Sequence, residues 1–440
     1  MKYRTSGFTI VELLIVIVVI GILAAIVIMG YNRVQENAIE VGLKSDIDGS
    51  TGIIEQYKLK NGGTYPSDSS VLNGGQGLKA SNTNVLEYVS IGTAYCVSAR
   101  SERINKIFHY LSTDRKIVEG PCVLEPANTT PVVSTVIANL DHPTGIVAPS
   151  TEVIYVVETG KNRVLKVTAD GSATILAGST SGLADFTNGT GTAARFNAPH
   201  GIGADSYGNL YVADQGNHSI RKVTQAGVVS TLAGNGTSGS ADGTGSAARF
   251  WDPFAVSVNP ATNAIYASET GNHRVRQISA TGTVSLIAGS TNGFTDGVGS
   301  AARFHDPLGL AFYEGNIYVA DWSNNVIRQL TISTKEVSTL LGSSTPSYVD
   351  GVGTAARFRQ PTGIGALDGK LYIADSGNHR VRVADIATKT VSTYGGQGVD
   401  GYQDGSIDSS QFSYPTGVAI GPQGTIYIVE TNAGRIRKIQ

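Results

Sequence analysis

Polarity almost vanishes between Ile10 and Met29, where Glu12 is the one charged residue, behind a short leader that holds Lys2 and Arg4. At about 1.5 Å of rise per residue, this stretch is long enough as a helix to cross a hydrocarbon core of about 30 Å. The positive leader keeps the N-terminus on the cytoplasmic side. A carboxylate inside such a helix costs a few kcal/mol, so Glu12 predicts a function and a cationic partner. From Asn32 to Lys60 apolar residues recur at helical spacing (Val34, Ala38, Val41, Ile47, Ile53, Ile54, Tyr57), which predicts an amphipathic continuation. Gly42, Gly49 and Gly52 weaken it locally, and Asn61-Gly62-Gly63 is its stop signal. Short apolar runs at Tyr88–Ile91, Ala94–Val97 and Ile107–Leu111 then predict a small antiparallel sheet packed on that helix. Residues 125–131, bounded by Pro126 and Pro131 and free of large apolar side chains, read as a linker.

Beyond the linker the pattern repeats. A proline recurs at 143, 199, 253, 307, 361 and 415, with a first interval of 56 residues and 54 thereafter. Each unit carries an apolar run, a polar turn, an apolar run ending in an acid, a Gly/Asn turn, and a run alternating basic and apolar residues, as in the segments around Glu158 and Asp375. Short β-runs at this period predict a six-bladed β-propeller rather than helical repeats. A fourth run follows in five units, at Ala173, Val229, Val284, Val337 and Val391, and is absent from the last. The same pattern stands at Val133–Ala138, so residues 132–138 are expected to supply the outer strand of the last blade and close the ring. Strand alternation then puts the linker and Gln440 on one face and the blade-to-blade connections on the other.

Composition changes this picture little. A formal net charge of −2 on 440 residues makes no case for nucleic acid. Cys96 and Cys122 are the two cysteines, and in an exported protein they read as a disulfide. A zinc or redox site would need a CxxC pair or neighbouring ligands, and neither is present.

Candidate chemistry concentrates on the connections. Five are long and share a pattern, Asn/Asp-Gly-x-Gly followed by Arg-Phe, around Arg195 (opening at Asn188), Arg249, Arg303, Arg357 and, in a degenerate copy, Gln411. Long loops on a rigid scaffold are where binding sites usually sit, so Arg195, Arg249, Arg303 and Arg357 are candidate binding-face residues, with the unrepeated Trp251 and Trp322. Unrepeated Phe254, Tyr348 and Tyr402 are further marks of local specificity. Asp-Gly-x-Gly lacks the remainder of a phosphate or calcium loop and reads as a tight turn. The six recurring acids, Glu158, Asp214, Glu269, Asp321, Asp375 and Glu430, are expected to accept backbone N–H bonds in the following turn or to pair with the loop arginines. His218, His273 and His379 recur with the repeat and suit a packing role. His142, His200 and His305 break it and are weak metal candidates at three different offsets from the blade proline. No triad, paired-carboxylate spacing or nucleophile motif stands out, so no catalytic residue and no cofactor is expected, and the chain reads as a binding protein rather than an enzyme.

Two resemblances sharpen this. The N-terminal segment, with Gly7, Phe8 and Glu12, resembles type IV prepilins and pseudopilins. That resemblance implies removal of leader 1–7 by a prepilin peptidase between Gly7 and Phe8, N-methylation of Phe8, and pairing of Glu12 with the Phe8 N-terminus of a neighbouring subunit. It further implies a filament-core helix over 8–30 within a helix over 8–60, a pilin-like α+β head over 61–124 of the kind that commonly carries a disulfide loop, and partners among pilin subunits and the pilus assembly machinery. Many pilins carry a proline where this chain has Met29. The repeats of 132–440 resemble NHL repeats, whose Asn-His pair survives at Asn217-His218, Asn272-His273 and Asn378-His379. Together they imply a membrane-inserted precursor that becomes an extracellular pilus subunit displaying a propeller to a surface, glycan or protein, with the bulk of the head favouring a minor or tip pilin. The alternatives are a major pilin with radiating propellers, a type II secretion pseudopilin, and a tethered metal-dependent NHL-type lyase.

Overall fold

The computed structural model describes residues 35–58, 78–81, 84–91, 94–101, 104–111, 116–120 and 131–440. The leader, Gly7, Phe8, Glu12, the 8–30 segment, Cys122 and most of the linker lie outside the described residues. The chain divides into two compact units, 1–129 and 130–440.

In the first unit, helix α1 covers residues 35–58 and runs through Gly42, Gly49 and Gly52. Four antiparallel strands follow in simple order: β1 (Asn84–Ile91), β2 (Ala94–Ser101), β3 (Ile104–Leu111) and β4 (Lys116–Glu119). Leu43, Ile47 and Ile54 of α1 are buried with Tyr95, Val97, Ala99 and Phe108 of the sheet, the helix-on-sheet core that the sequence predicts. The buried stripe differs from the expected one at Ala38 and Val41, both exposed, while Ile39 and Leu43 pack in the core in their place. Asp46 ties α1 to the start of the sheet by accepting from the Ser81 N–H and hydroxyl and from the Asn84 amide. Cys96 is fully buried and disulfide-bonded; its pairing with Cys122 falls outside the described residues. Among the described residues no helix is long and apolar enough to cross a membrane.

The second unit holds six antiparallel sheets, each with four main strands. Their innermost strands, each opening at a repeat proline, touch in cyclic order, and Pro415–Ile420 of the sixth touches Pro143–Val147 of the first. Strands between two stacked sheets are covered on both faces, which is why Leu210–Asp214 and Ile265–Glu269 are buried at every position and lack polar alternation. Close stacking at the centre needs glycine: a Cβ at Gly145, Gly201, Gly309 or Gly363 would land on the backbone of the next innermost strand.

The strand β5 (Val132–Ile137) joins the sixth sheet, between Arg435–Ile439 and the two-residue strand Gly405–Ser406. Val132 and Gln440 exchange both backbone hydrogen bonds, at 2.9 and 3.2 Å, so the start and the end of this unit meet on one face. The long connections leave from the opposite face. Each crosses to the outer edge of the next sheet and adds a fifth strand of two residues there, as Gly189–Thr190 does against Val228–Ala233. In four of the five a single 3-10 turn then returns it to the centre, and in the connection to the sixth sheet a plain turn does so. The first sheet, preceded by the short 138–142 connection, has four strands and no such addition.

Candidate ligand-binding face

What holds the long connections down is a set of arginines that the sequence reading missed. Arg221, Arg276, Arg328, Arg382 and Arg437, from the third strand of sheets two to six, are fully buried. Arg328 is representative. Its Nη1 pairs with Asp321 at 2.8 Å and donates to the Arg303 carbonyl, while Nη2 pairs with Asp296 at 2.7 Å and donates to the Thr295 carbonyl. Phe294 and Phe304 flank its guanidinium, each 5.2 Å away. One cation thus joins the acid at the end of strand two to the Asp of Asp-Gly-x-Gly and to two loop carbonyls. Its Nε finds no partner.

The first sheet proves the logic by omission. Leu165 stands in its third strand, opposite Val156, where Arg221 stands opposite Val212 in the second. No long connection precedes this sheet, so there is nothing to hold. Its acid, Glu158, takes Arg163 at 2.6 Å instead, two residues earlier on the strand. The signal was present in the sequence as a basic residue at a fixed place in five of six units, hidden among the other alternating lysines and arginines of those strands.

This corrects the expected pairing of the acids with loop arginines. Arg195, Arg249 and Arg357 fold back on their own 3-10 turns, each donating from Nη1 to two loop carbonyls. Arg303 pairs through its backbone with Thr295. The Asp-Gly-x-Gly turns are structural, since Asp242, Asp296, Asp350 and Asp404 each pair with a buried arginine. The recurring acids accept backbone N–H groups not from the following turn, as the sequence suggests, but from the residue two before each proline, for example Trp251 N–H to Glu269 at 3.0 Å. Burial pushes the Asp214 carboxyl up to about 6, against the pull of Arg221 and Asn217. Glu269, Asp321, Asp375 and Glu430 are raised for the same reason.

The histidines separate into two uses. His218, His273 and His379 sit in the left-handed region and accept, through Nδ1, the N–H of Asp252, Asp306 and Tyr414 in the following sheet. Asn162 and Asn325 make the same bond to Ala198 and Gln360 through their amide oxygens. The three metal candidates do not converge. His142 bonds Asp141 at 2.8 Å, His305 lies edge-on to His273, and His200 stacks on Phe254 at 4.6 Å in the central channel. Among the described residues there is no cluster of three or more His, Cys, Asp or Glu able to hold a metal ion. The channel cavity is about 80 Å³, lined by Thr144, His200, Phe254, Leu310, Thr362 and Thr416 with no charged side chain. Burial there pushes the His200 imidazole down to about 4, and its Nδ1 has no partner.

Among the exposed side chains of this face, Trp251 is 47% exposed, Tyr348 40% and Tyr402 62%, and the last two share one repeat position with Phe186 and Phe294. Trp322 is half-buried at the start of the fourth sheet's turn. Arg380 and Arg435 stack on Tyr348 and Tyr402, at 3.7 and 3.9 Å. Trp251 lies across the backbone of Gly271, where a Cβ would strike its indole ring.

Comparison with known proteins agrees with the two-part reading. Residues 2–28 match the prokaryotic N-terminal methylation motif, 184–293 the Teneurin NHL domain, and 358–384 and 412–439 the NHL repeat. The chain is 32% identical over 59% of its length to the chloroplastic protein Suppressor of Quenching 1 of Arabidopsis thaliana, covering 26% of that protein. It is 30% identical over 64% of its length to NHL repeat-containing protein 2 of Bos taurus, covering 44% of it. The chain therefore spans less than half the length of these curated relatives. A structural genomics protein of unknown function from Bacteroides thetaiotaomicron superposes with a TM-score of 0.58 at 18% identity, covering 80% of this chain and 86% of that one, and this likeness speaks to the fold alone. The chain carries a pilin-type N-terminal methylation motif and NHL repeats, and is similar over its second unit to NHL-repeat proteins.

Proposed function

We propose that this protein is a pilin-like subunit that displays a six-bladed NHL propeller at the cell surface, with the long-loop face as its binding surface. The observation that carries the reading is the position of β5. The chain comes into the propeller on the face where it also ends, and the loops held by the buried arginines occupy the other face. A propeller tethered at Pro131 therefore has its loop face free of the tether.

In this reading the six sheets are blades and β5 closes the ring. Cleavage between Gly7 and Phe8 releases the leader, Phe8 is methylated, and Glu12 pairs with the Phe8 amine of a neighbour during assembly. The head over 61–124 is pilin-like, with Cys96 and Cys122 paired. In this reading the protein binds rather than catalyses. A minor or tip position suits the size of the head. The test is immunogold labelling of the propeller on sheared filaments from cells expressing the wild type or Glu12→Ala. Label on wild-type filaments that is lost in the variant supports the reading. Equal label in both refutes the role of Glu12, and wild-type label confined to the membrane refutes surface display.

A further inference from the structure

Five of the six sheets of the second unit have the outer edge of their fourth strand covered by the connection that precedes them, and the cover bonds in a repeated way. In the third sheet Gly243 pairs with Val284, the Gly245 N–H donates to the Gly282 carbonyl at 3.0 Å, and the Asp242 carboxylate accepts the Leu286 N–H at 3.2 Å. Thr339, Thr393 and Thr135 donate to the matching Asp in the fourth, fifth and sixth sheets, at 3.0 to 3.3 Å. In the second, Asn188 accepts from the Thr231 hydroxyl instead. The residue paired with the glycine is Val229, Val284, Val337, Val391 or Val133, and each is buried.

The first sheet has the same edge without the cover. Thr168 donates to the Ser172 carbonyl at 3.0 Å and Lys166 pairs with Thr174, so Ser172 and Thr174 serve the ladder to the third strand. By alternation Ala173 and Ile175, the counterparts of Val284 and Leu286, turn their N–H and C=O groups outward. Among the described residues these outward groups have no hydrogen-bond partner. Ala173 is exposed where its five counterparts are buried. Residues 171–178 also carry no charge and no proline, two of the devices that keep a free edge from pairing.

We infer that this edge is a strand-addition site for an extended segment of a partner protein with the pattern Asn/Asp-Gly-x-Gly. It lies at the rim of the second unit, apart from the loop face, and stands even if that face binds nothing. The occupant's chemistry follows from the five covers. Each runs antiparallel to the fourth strand, sets glycine opposite the position of Ala173, and brings an acid or amide to the residue two further on, the position of Ile175. Main-chain bonds of this kind supply the affinity of strand addition, and the side chain before the glycine adds selectivity. What differs in the first sheet is the staple. Leu165 stands where the other sheets have the buried arginine that pins the cover. The slot therefore keeps its bonding groups and lacks the lock, which suits an occupant that comes and goes. A second copy of this chain fits less well, because its own copies of the pattern, at Asn188, Asp242, Asp296, Asp350 and the degenerate Asp404, are each already held by a buried arginine.

The test is microscale thermophoresis of the labelled full chain, held in a zwitterionic detergent, against a synthetic peptide that copies residues 185–192, Asp-Phe-Thr-Asn-Gly-Thr-Gly-Thr. Titration to about 5 mM reaches the weak affinities of short ligands. Saturable binding supports the inference if N-methylation of the peptide's first glycine and Ala173→Pro in the chain each weaken it about tenfold or more, while Trp251→Ala on the loop face leaves it unchanged. Ala173→Pro removes an outward N–H at an edge position, where proline is tolerated. The N-methylated peptide leaves the chain untouched, so the test holds even if that variant folds poorly. Absence of saturable binding, or binding indifferent to the N-methyl group, overturns the inference. Self-association of the wild type that Ala173→Pro abolishes also overturns it, and gives the edge to a second copy.

Discussion

Replacing Arg328 by leucine reproduces in the fourth blade what the first blade does naturally at Leu165, and the outcome depends on what stands two residues earlier. In the first blade Arg163 reaches Glu158 in place of the missing cation. In the fourth, the equivalent residue is Val326, so Asp321 is left buried with donors from Asn324 and the His305 N–H but no cation. The Arg303 and Thr295 carbonyls and Asp296 also lose the Arg328 donor, although Asp296 keeps the Thr339 N–H and hydroxyl. Removing one partner of a buried pair costs about 3–5 kcal/mol. At roughly 2 °C per kcal/mol for a unit of this size, the melting temperature should fall by about 6–10 °C. In the fifth blade Arg380 occupies the rescuing position opposite Asp375, so Arg382→Leu should cost less than Arg328→Leu. Adding Val326→Arg to Arg328→Leu should recover part of the loss. Tryptophan fluorescence reads this unit alone, because both tryptophans of the chain, Trp251 and Trp322, lie in it. An Arg328→Leu variant within about 1 kcal/mol of wild type, or one as costly as Arg382→Leu, would refute the account of the staple.

Ser134→Pro, in the middle of β5 opposite Lys438, should break the closing ladder, cost about 3 kcal/mol and expose the edge of Arg435–Ile439; thermal melts and size-exclusion chromatography would show a lower midpoint and self-association. Gly309→Val places a Cβ on the Thr362 carbonyl and should destabilise by at least about 2 kcal/mol in urea unfolding. The His200 imidazole titrates at about 4 when folded, against 6.5 for the free group, so the unfolded state binds more protons between these values. Its contribution is complete above pH 6.5 and about 3 kcal/mol is lost as the pH falls to 4. Asp214, raised from 3.8 to about 6, contributes with the opposite sign over much of the same window. The reading is therefore the difference between the stability profiles of wild type and His200→Thr, the residue found in that place at 144, 362 and 416; a difference that stays flat from pH 7 to 4 would contradict it.

The period of the prolines and the fourth-run pattern at Val133 made the repeat, and the pairing of β5 in the sixth sheet, legible in the sequence, because strand length and turn chemistry are local. The helix-on-sheet core of the first unit was legible for the same reason, apart from Ala38 and Val41, whose exposure depends on which side of α1 the sheet lies. The arginine staples were not legible. Arg328 and a solvent-facing lysine look alike in an alternating strand, and only the third dimension brings Asp296, 32 residues away, onto the same guanidinium. The loop arginines misled for the converse reason: their repetition signalled a role, and the role is to hold their own turns.

The central claim, that a propeller is carried by a processed pilin-type N-terminus, is tested most directly by mass spectrometry of the N-terminal peptide of this protein recovered from sheared surface filaments. The account predicts a chain beginning at N-methylated Phe8, in the same fraction as peptides from residues 132–440. An N-terminus still beginning at Met1, or recovery of the protein from the membrane and not from filaments, would contradict it.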